Sequence, residues 1–256
     1  MLADIETTED AVLGGRLVLR QPKRGHRFGH DAILLAAAVG AMESQVAVDL
    51  GAGVGTAGLA LAHRVPGLHV MLIEIDATLA GLARENAARN GLSDRVSVVE
   101  LDVAAATQLD FVRKAMLPPG EVHHVLMNPP YNDAARQNVS PDPARRLAHV
   151  ARDDTLPVWV NCASRLLRPN GMLTMIWRAT GLGDVLAALK DFGGISVVPV
   201  HPKPKTAAIR VLVQAVKGGA TPLVLCPPLI MNDADGRPTA EAEAILRGGA
   251  TITIQP

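Results

Sequence analysis

The chain has 256 residues, and its 25 Lys and Arg balance 25 Asp and Glu, so its formal net charge is zero. Hydrophobic residues make up 48% of it, which is typical of a globular protein and excludes a disordered or fibrous one. Its two cysteines, Cys162 and Cys226, are isolated, with no C-x-x-C and no Cys/His cluster. We therefore expect no structural metal site and no disulfide framework, and we expect a reducing, cytoplasmic environment.

The first residues, Met1-Leu2-Ala3-Asp4-Ile5-Glu6, are acidic where a signal peptide is basic. No uncharged run reaches the roughly 20 residues that span a bilayer. These observations predict neither export nor membrane insertion. The zero net charge also argues against coating of nucleic acid by bulk electrostatics, although a local basic patch remains compatible with it.

Alternating apolar periods predict a β-α unit repeated five times. The predicted strands cover residues 45–50, 69–74, 95–99, 122–127 and 172–177. Helices are predicted at 56–64, 77–90, 111–117, 154–167 and 181–191, with a loop through residue 150. Two of the helices precede clear stop signals, Asn90-Gly91 and Pro169-Asn170-Gly171. Such alternation requires a parallel sheet with helices on both faces and right-handed crossovers.

The pattern changes near the end of the chain. Two β-like runs, 195–200 and 207–215, are separated only by a short basic loop, and so short a connection joins antiparallel strands. A parallel sheet that ends in such a hairpin is typical of Rossmann-like methyltransferases. We predict an α/β class I methyltransferase fold with a mostly parallel, seven-stranded sheet and a terminal antiparallel hairpin. Residues 45–217 form the predicted methyltransferase domain, 1–44 an extension on its cofactor and substrate side, and 218–256 a C-terminal extension of the same domain.

A glycine loop lies where the first predicted strand meets the first helix. Its glycines, Gly51, Gly53 and Gly55, form the pattern G-x-G-x-G, and Thr56 occupies the place of the third glycine in the nicotinamide fingerprint G-x-G-x-x-G. Asp49 directly before the loop would repel a pyrophosphate but would attract a cationic cofactor. The loop therefore favours S-adenosylmethionine (SAM) over NAD.

Two further acids follow the next predicted strands. Glu74 closes the second strand, where an acid accepts hydrogen bonds from a ribose diol. Asp102 follows the third strand and is placed to meet an adenine amino group. With Asp49, these acids stand at the carboxyl ends of three successive strands, which is consistent with one bound nucleoside.

The most specific motif is Asn128-Pro129-Pro130-Tyr131, directly after the fourth strand. An exocyclic amino group on a conjugated system is a poor nucleophile because its lone pair is delocalised. The Asn128 Oδ1 and the Pro129 carbonyl offer two acceptors that favour a more nucleophilic nitrogen, and Pro129 and Pro130 bring no competing N–H. The Tyr131 ring could stack on a planar target, which is worth about 1 to 3 kcal/mol for a base. The motif indicates amino methylation.

With the glycine loop, this motif is similar to that of the amino-methylating class I methyltransferases. Residues 27–36, 85–92 and 208–218 further resemble the bacterial tRNA (adenine-N6)-methyltransferases that modify the adenine beside the valine anticodon. The resemblance covers roughly residues 20–245. It implies SAM as cofactor, the N6 amino group of an adenine in tRNA as acceptor, and no covalent nucleophile. It also implies that Asp31 and its neighbours help to close the cofactor pocket and that residues 128–131 hold the base.

Three other functions stay open on the sequence alone. Methylation of a protein glutamine amide uses the same chemistry, although no separate N-terminal helical recognition domain is evident. DNA adenine methylation usually requires a longer target-recognition region. A non-catalytic RNA-binding protein would have no need of the intact glycine loop and motif. For tRNA, two basic clusters are the candidate contacts: Lys23, Arg24 and Arg27 near the start, and Lys203 and Lys205 near the end.

Overall fold

In a computed structural model, residues 6–24, 29–104, 120–130 and 155–254 are described. The chain begins with an antiparallel hairpin of β1 (Thr7–Val12) and β2 (Leu17–Pro22), which precedes helix α1 (His30–Ala38). None of the helices in these ranges is long and apolar enough to cross a membrane.

A mixed sheet forms the centre of the fold. Its parallel strands are β3 (Val46–Leu50), β4 (His69–Glu74), β5 (Val96–Glu100), β6 (Val122–Met127) and β7 (Leu167–Arg178). They are followed by β8 (Phe192–His201), β9 (Arg210–Lys217), β10 (Val224–Leu225) and β11 (Leu229–Ile230). The spatial order is β10-β8-β9-β7-β6-β3-β4-β5, with β11 also on β8. Only β9 runs against its neighbours among these strands.

Helices cover both faces of this sheet. They are α1, α2 (Thr56–Arg64), α3 (Ala77–Arg89), α4 (Thr155–Leu166), α5 (Leu182–Ala188) and α6 (Ala240–Leu246). Successive strand residues point to opposite faces, so Ala47 packs in the core with α1, α2 and α6, whereas Val48 packs in the core with α4 and α5. The predicted parallel α/β fold with a terminal antiparallel hairpin is confirmed.

The structure differs from the prediction mainly at element ends. Helix α4 stops at Leu166, and Leu167 already pairs with Val122, so the Pro-Asn-Gly sequence lies in a bulge of β7 and does not form the helix stop. Asn170 accommodates this bulge with φ of 61°. Two short strands from residues 218–256, β10 and β11, add to the seven predicted ones. The predicted helix at 111–117 and residues 131–150 of the predicted loop lie outside the described residues.

The strand directions define one functional edge of the sheet. The carboxyl ends of β3, β4, β5 and β6 meet there because these strands are parallel. Arg210 at the start of β9 is opposite both Arg178 at the end of β7 and Val200 near the end of β8. The β8–β9 loop therefore lies at the same carboxyl edge as residue 128.

Candidate active site

A cavity of about 650 Å³ opens at the carboxyl edge of the sheet. It brings together most of the residues that the sequence singles out for a cofactor and for an amino group. Those that line it are Asp31, Asp49, Gly51, Gly53, Glu74, Asp102, Asn128 and Pro130. Pro129 is buried and does not line it, and Tyr131 lies outside the described residues.

The glycine loop adopts a conformation that side chains disfavour. Gly51, Gly53 and Gly55 have φ angles of 68°, 58° and 89°, in the left-handed region. Gly51 also has no room for a side chain, because a Cβ there would overlap the Trp159 ring. Gly55 does not line the cavity and instead forms the N-cap of α2.

Glu74 holds this loop by its backbone. The side chain is buried, its Oε2 accepts a hydrogen bond from the Gly53 N–H at 2.7 Å, and its Oε1 accepts one from the Asp76 N–H at 2.9 Å. A carboxylate has about four lone-pair sites, so two bonds leave acceptor capacity on the cavity side. Glu74 is thus able to order the loop and to accept hydrogen bonds from a ligand diol.

Asp49 is a buried carboxylate in the cavity wall, only 2% exposed. Its Oδ2 accepts a hydrogen bond from the Gly58 N–H at 2.9 Å. Burial raises the pKa of Asp49 to about 7, the Gly58 hydrogen bond opposes this shift, and the nearby Glu74 charge adds to it. A cationic ligand in the cavity would favour the ionised form of Asp49.

The Thr56 hydroxyl supplies a further polar group to the cavity. Thr56 is 2% exposed, lines the cavity, and its Oγ1 has no hydrogen-bond partner among the described residues. A buried hydroxyl without a partner is costly, and a polar ligand group would satisfy it. From the sequence alone, Thr56 served only as evidence against a dinucleotide site, and its hydroxyl was not predicted to face a ligand.

An ion pair closes one side of the cavity. The Arg210 Nε donates to Asp31 Oδ2 at 2.8 Å, which joins the first turn of α1 to the start of β9. Both side chains are about 30% exposed, at 31% and 27%, so solvent reduces the contribution of this pair to stability. Its main consequence is geometric: it fixes the position of α1 beside the cavity.

Asn128 and Asp102 complete the polar lining. Leu50 pairs with Met127, so Gly51 and Asn128 follow neighbouring strands directly and lie side by side at the edge. The Asp102 Oδ1 accepts from the Ala104 N–H at 2.8 Å, and this turn fixes its carboxylate. Asn128, whose amide oxygen can accept a hydrogen bond from an amino group, thus shares one cavity with the glycine loop and its acids.

Several lining residues were not predicted. Trp159 approaches from α4, Arg210 from β9, and Ile75 and Leu79 from the segment after β4. Ile75 is 61% exposed, and a bulky apolar residue directly after Glu74 was a signal for an apolar ligand surface. No local pattern marks Trp159, because only the packing of α4 on the sheet brings it to Gly51.

The described residues of the two basic clusters do not line the cavity. Lys23 forms an exposed ion pair with Glu6 at 3.2 Å, and Arg24 is exposed, whereas Arg27 lies outside the described residues. Lys203 and Lys205 are exposed in the β8–β9 loop. Their role toward RNA stays a prediction.

Residues 28–199 match the family model described as the methyltransferase small domain. The chain belongs to this family. The match begins within the predicted N-terminal extension, and Asp31 of that segment lines the cavity. The predicted domain boundaries at residues 44 and 217 stay predictions.

Curated relatives of this chain include methyltransferases that are named for tRNA and one that is named for a protein glutamine. A tRNA1(Val) (adenine(37)-N6)-methyltransferase from Aeromonas hydrophila is 29% identical over 218 residues, which are 82% of this chain and 84% of the relative. A protein of the same name from Porphyromonas gingivalis is 33% identical over 165 residues, 62% of this chain and 61% of the relative. A release factor glutamine methyltransferase from Chlorobaculum tepidum is 29% identical over 196 residues, 73% of this chain and 65% of the relative.

Solved structures support the fold. The crystal structure of a predicted O-methyltransferase from Agrobacterium tumefaciens is 31% identical, with a TM-score of 0.72, and the match covers 87% of this chain and 98% of that one. A 16S rRNA N2 G1207 methyltransferase from T. thermophilus, solved with AdoMet and guanosine, is 17% identical with a TM-score of 0.56 and covers 83% of this chain and 50% of that one. The second likeness extends to the fold alone.

Asp49→Asn should stabilise the ligand-free protein at alkaline pH. Because the pKa of Asp49 rises from 3.8 to about 7 on folding, the folded state binds its proton more tightly than the unfolded state does. The stability contributed by the protonated group is fully present below about pH 4 and is lost as the pH rises through about 7. Asn does not ionise, so the variant should exceed the wild type in free energy of unfolding at pH 8, and the difference should shrink toward pH 5.

Urea denaturation across this pH range measures the difference. Asp94→Asn, which changes an exposed carboxylate in the turn before β5, is the control and should show no comparable pH-dependent gain. A difference between Asp49→Asn and wild type that does not vary with pH would contradict this account of Asp49.

Proposed function

We propose that this methyltransferase transfers the methyl group of SAM to the N6 amino group of an adenine in tRNA. The observation that carries the proposal is the position of Asn128, which lines the same cavity as the glycine loop and Glu74. Acceptors for an amino group and groups suited to a nucleoside cofactor thus face one space. The names of the A. hydrophila and P. gingivalis relatives state this activity for those proteins.

The residues of the cavity fit SAM. Its volume of about 650 Å³ lies within the usual range of roughly 300 to 1,000 Å³ for small-molecule sites. Asp49 offers a negative charge to a cation, Glu74 offers acceptors to a ribose diol, and the Thr56 hydroxyl is available for a polar group. The exposed Ile75 and the half-buried Leu79 give an apolar surface for a planar ring. When bound, SAM supplies an electrophilic methyl group.

The residues of this chain orient the amino group that receives the methyl group. Asn128, which lines the cavity, accepts a hydrogen bond from the amino group at its Oδ1, and this directs the lone pair of the nitrogen toward the methyl donor. The second predicted acceptor is the carbonyl of Pro129, a buried residue next to the cavity lining. The amino group loses one proton after transfer, and neither an amide nor a peptide carbonyl is basic enough to hold it, so that proton leaves to solvent. An adenine in a structured RNA must also leave its stack to reach the cavity.

Glutamine methylation is the second candidate, because the C. tepidum relative carries that name. Of the three curated relatives described above, the one matched over the largest share of this chain, 82%, and the one with the highest identity, 33%, both carry the tRNA name. The C. tepidum relative is 29% identical and is matched over 73% of this chain. These two comparisons favour the tRNA substrate.

The proposal predicts N6-methyladenosine in tRNA. Bulk tRNA that lacks this modification is incubated with protein and SAM, and its nucleosides are then analysed by mass spectrometry. Isothermal titration should show one SAM site per chain and no tight binding of NAD. A methylated glutamine in a release-factor peptide, with tRNA unchanged, would favour the second candidate; NAD binding without a response to SAM would overturn both.

Asn128→Ala tests the role of the motif. The variant should lose about 100-fold or more of its turnover, the usual effect of removing one preorganised polar group at a reacting centre. Its SAM affinity should change little, because the amide acts on the acceptor nitrogen. Turnover by stopped assay and SAM affinity by titration are measured on the same preparation. Wild-type turnover in Asn128→Ala would rule out this mechanism of amino methylation.

The tRNA surface is the remaining part of the proposal. Lys203 and Lys205 lie in the β8–β9 loop at the same edge as Asn128, and β8 is three strands from β6, about 14 Å at the usual strand spacing. That separation is within reach of a single RNA loop. In the sequence, Lys23, Arg24 and Arg27 shortly precede α1, whose first turn lines the cavity.

Filter binding across a salt series tests the two clusters separately. Lys203→Ala/Lys205→Ala, and the triple alanine variant of Lys23, Arg24 and Arg27, should each lower the log–log salt slope by roughly one unit for every phosphate that is no longer neutralised. Arg168→Ala/Lys190→Ala is the matched control, since both residues are exposed at the opposite edge of the sheet. A slope that stays at the wild-type value would remove that cluster from the RNA surface.

A further inference from the structure

We propose that Asn86 is a positioning residue for the glycine loop, and that through it the β1–β2 hairpin controls SAM affinity although none of its described residues lines the cavity. The inference rests on the proposed function in that it takes SAM as the ligand. It assigns a role in cofactor binding to the β1–β2 hairpin, which takes no part in the methyl transfer itself. The hairpin would influence the cofactor site through α3.

The side chain of Asn86 joins three segments of the chain. It is fully buried on α3, and its Oδ1 accepts a hydrogen bond from the Arg20 N–H of β2 at 2.7 Å. Its Nδ2 donates to the Arg20 carbonyl at 2.9 Å and to the Val54 carbonyl at 3.0 Å. Both amide protons are therefore in use, one on the hairpin and one on the glycine loop.

Asn90, the C-cap residue directly after α3 and four residues beyond Asn86, makes the same contact with the hairpin but not with the loop. Its Oδ1 accepts from the Val18 N–H and its Nδ2 donates to the Val18 carbonyl, each at 3.0 Å. The other bond of its amide group differs from that of Asn86. The Asn90 Nδ2 donates to the Asn86 carbonyl at 2.7 Å, whereas the Asn86 Nδ2 donates to Val54. The two side chains together act as a neighbouring strand for the outer edge of β2.

Charged contacts fasten the same hairpin to α3. Arg20 pairs with Glu85 at 2.7 Å, and Arg89 pairs with Glu9 at 2.9 Å. Residues 85, 86 and 89, with the C-cap residue 90, lie on one side of the helix at its C-terminal end, and all four contact the hairpin there. A displacement of the hairpin would therefore also displace the Asn86 side chain, which is hydrogen-bonded to it.

The Val54 carbonyl is the point at which this coupling reaches the cofactor site. Val54 lines the cavity between Gly53, whose N–H is bonded to Glu74, and Gly55, whose N–H is bonded to the Ala52 carbonyl. Glycines have the largest conformational freedom to lose, so a loop of three glycines depends on such bonds for its order. Asn86 holds the loop from the α3 side, as Glu74 holds it from the β4 side.

Asn86→Ala and Asn90→Ala form a matched pair of variants. Each removes two hydrogen bonds to β2, but only Asn86→Ala removes the bond to Val54. Both should lower the Tm, whereas only Asn86→Ala should weaken SAM binding, by about tenfold or more, because it leaves a buried carbonyl without its partner. In the methyl-transfer assay, Asn86→Ala should raise the KM for SAM and keep kcat at saturating SAM close to the wild-type value.

Titration with SAM distinguishes the outcomes. Equal losses of affinity in the two variants, or a wild-type affinity in Asn86→Ala, would overturn the inference, because its effect would then be general destabilisation or none. A wild-type protein that does not bind SAM overturns the proposed function itself, and this is seen before any variant is compared.

Hydrogen exchange on the wild-type protein provides a test that needs no variant to fold. Coupling between sites is reciprocal, so SAM should slow amide exchange in β2, at Val18 and Arg20, although the hairpin does not line the cavity. Exchange in β10, at the far end of the sheet, serves as the internal control and should change less. Equal protection of β2 and β10, or none in β2, would overturn the inference.

Discussion

The structure depends on holding a short backbone segment, residues 51–55, in a conformation that only glycine tolerates well. Three residues there have positive φ angles, and such a loop loses much chain entropy when it becomes ordered. Groups from three elements supply that order: the Glu74 carboxylate from β4, the Asn86 amide from α3, and the Trp159 ring from α4. The cavity exists because strands and helices with no sequence proximity converge on one loop.

Asp49, in the wall of the same cavity, lowers the stability of the folded protein when it is ionised. A carboxylate that is 2% exposed, with its pKa raised to about 7, opposes folding when it ionises, and no cation among the described residues is paired with it by a short ion pair. A cationic ligand would reduce that cost, so binding and stability are linked through this residue. The expected gain in stability of Asp49→Asn at alkaline pH would accordingly come with a loss of cofactor affinity.

The roles of Asp49, Glu74, Asp102 and Asn128 toward a ligand stay predictions, but their shared position could be inferred from the sequence. Sequence reasoning placed them at one edge because parallel strands bring their carboxyl ends together, and all four line the cavity. It missed contacts that bridge distant segments, as in Arg210 with Asp31, 179 residues apart, and Asn86 with Arg20, 66 residues apart. The four-residue spacing of Asn86 and Asn90 can be seen in the sequence. The neighbouring residues, however, do not indicate that these two side chains bind β2, which is 66 to 72 residues away.

The antiparallel strand β9 has a consequence for substrate binding that a fully parallel sheet would not give. Because β9 reverses direction between β7 and β8, its connection with β8 turns at the carboxyl edge, beside the cavity. A parallel strand in that place would need a crossover that returns to the opposite edge. Lys203 and Lys205 thereby reach the side on which Asn128 lies. In a chain with no net charge, attraction of a polyanion depends on where its cations are placed, and here the strand order places two of them at the edge of the sheet that holds the cavity.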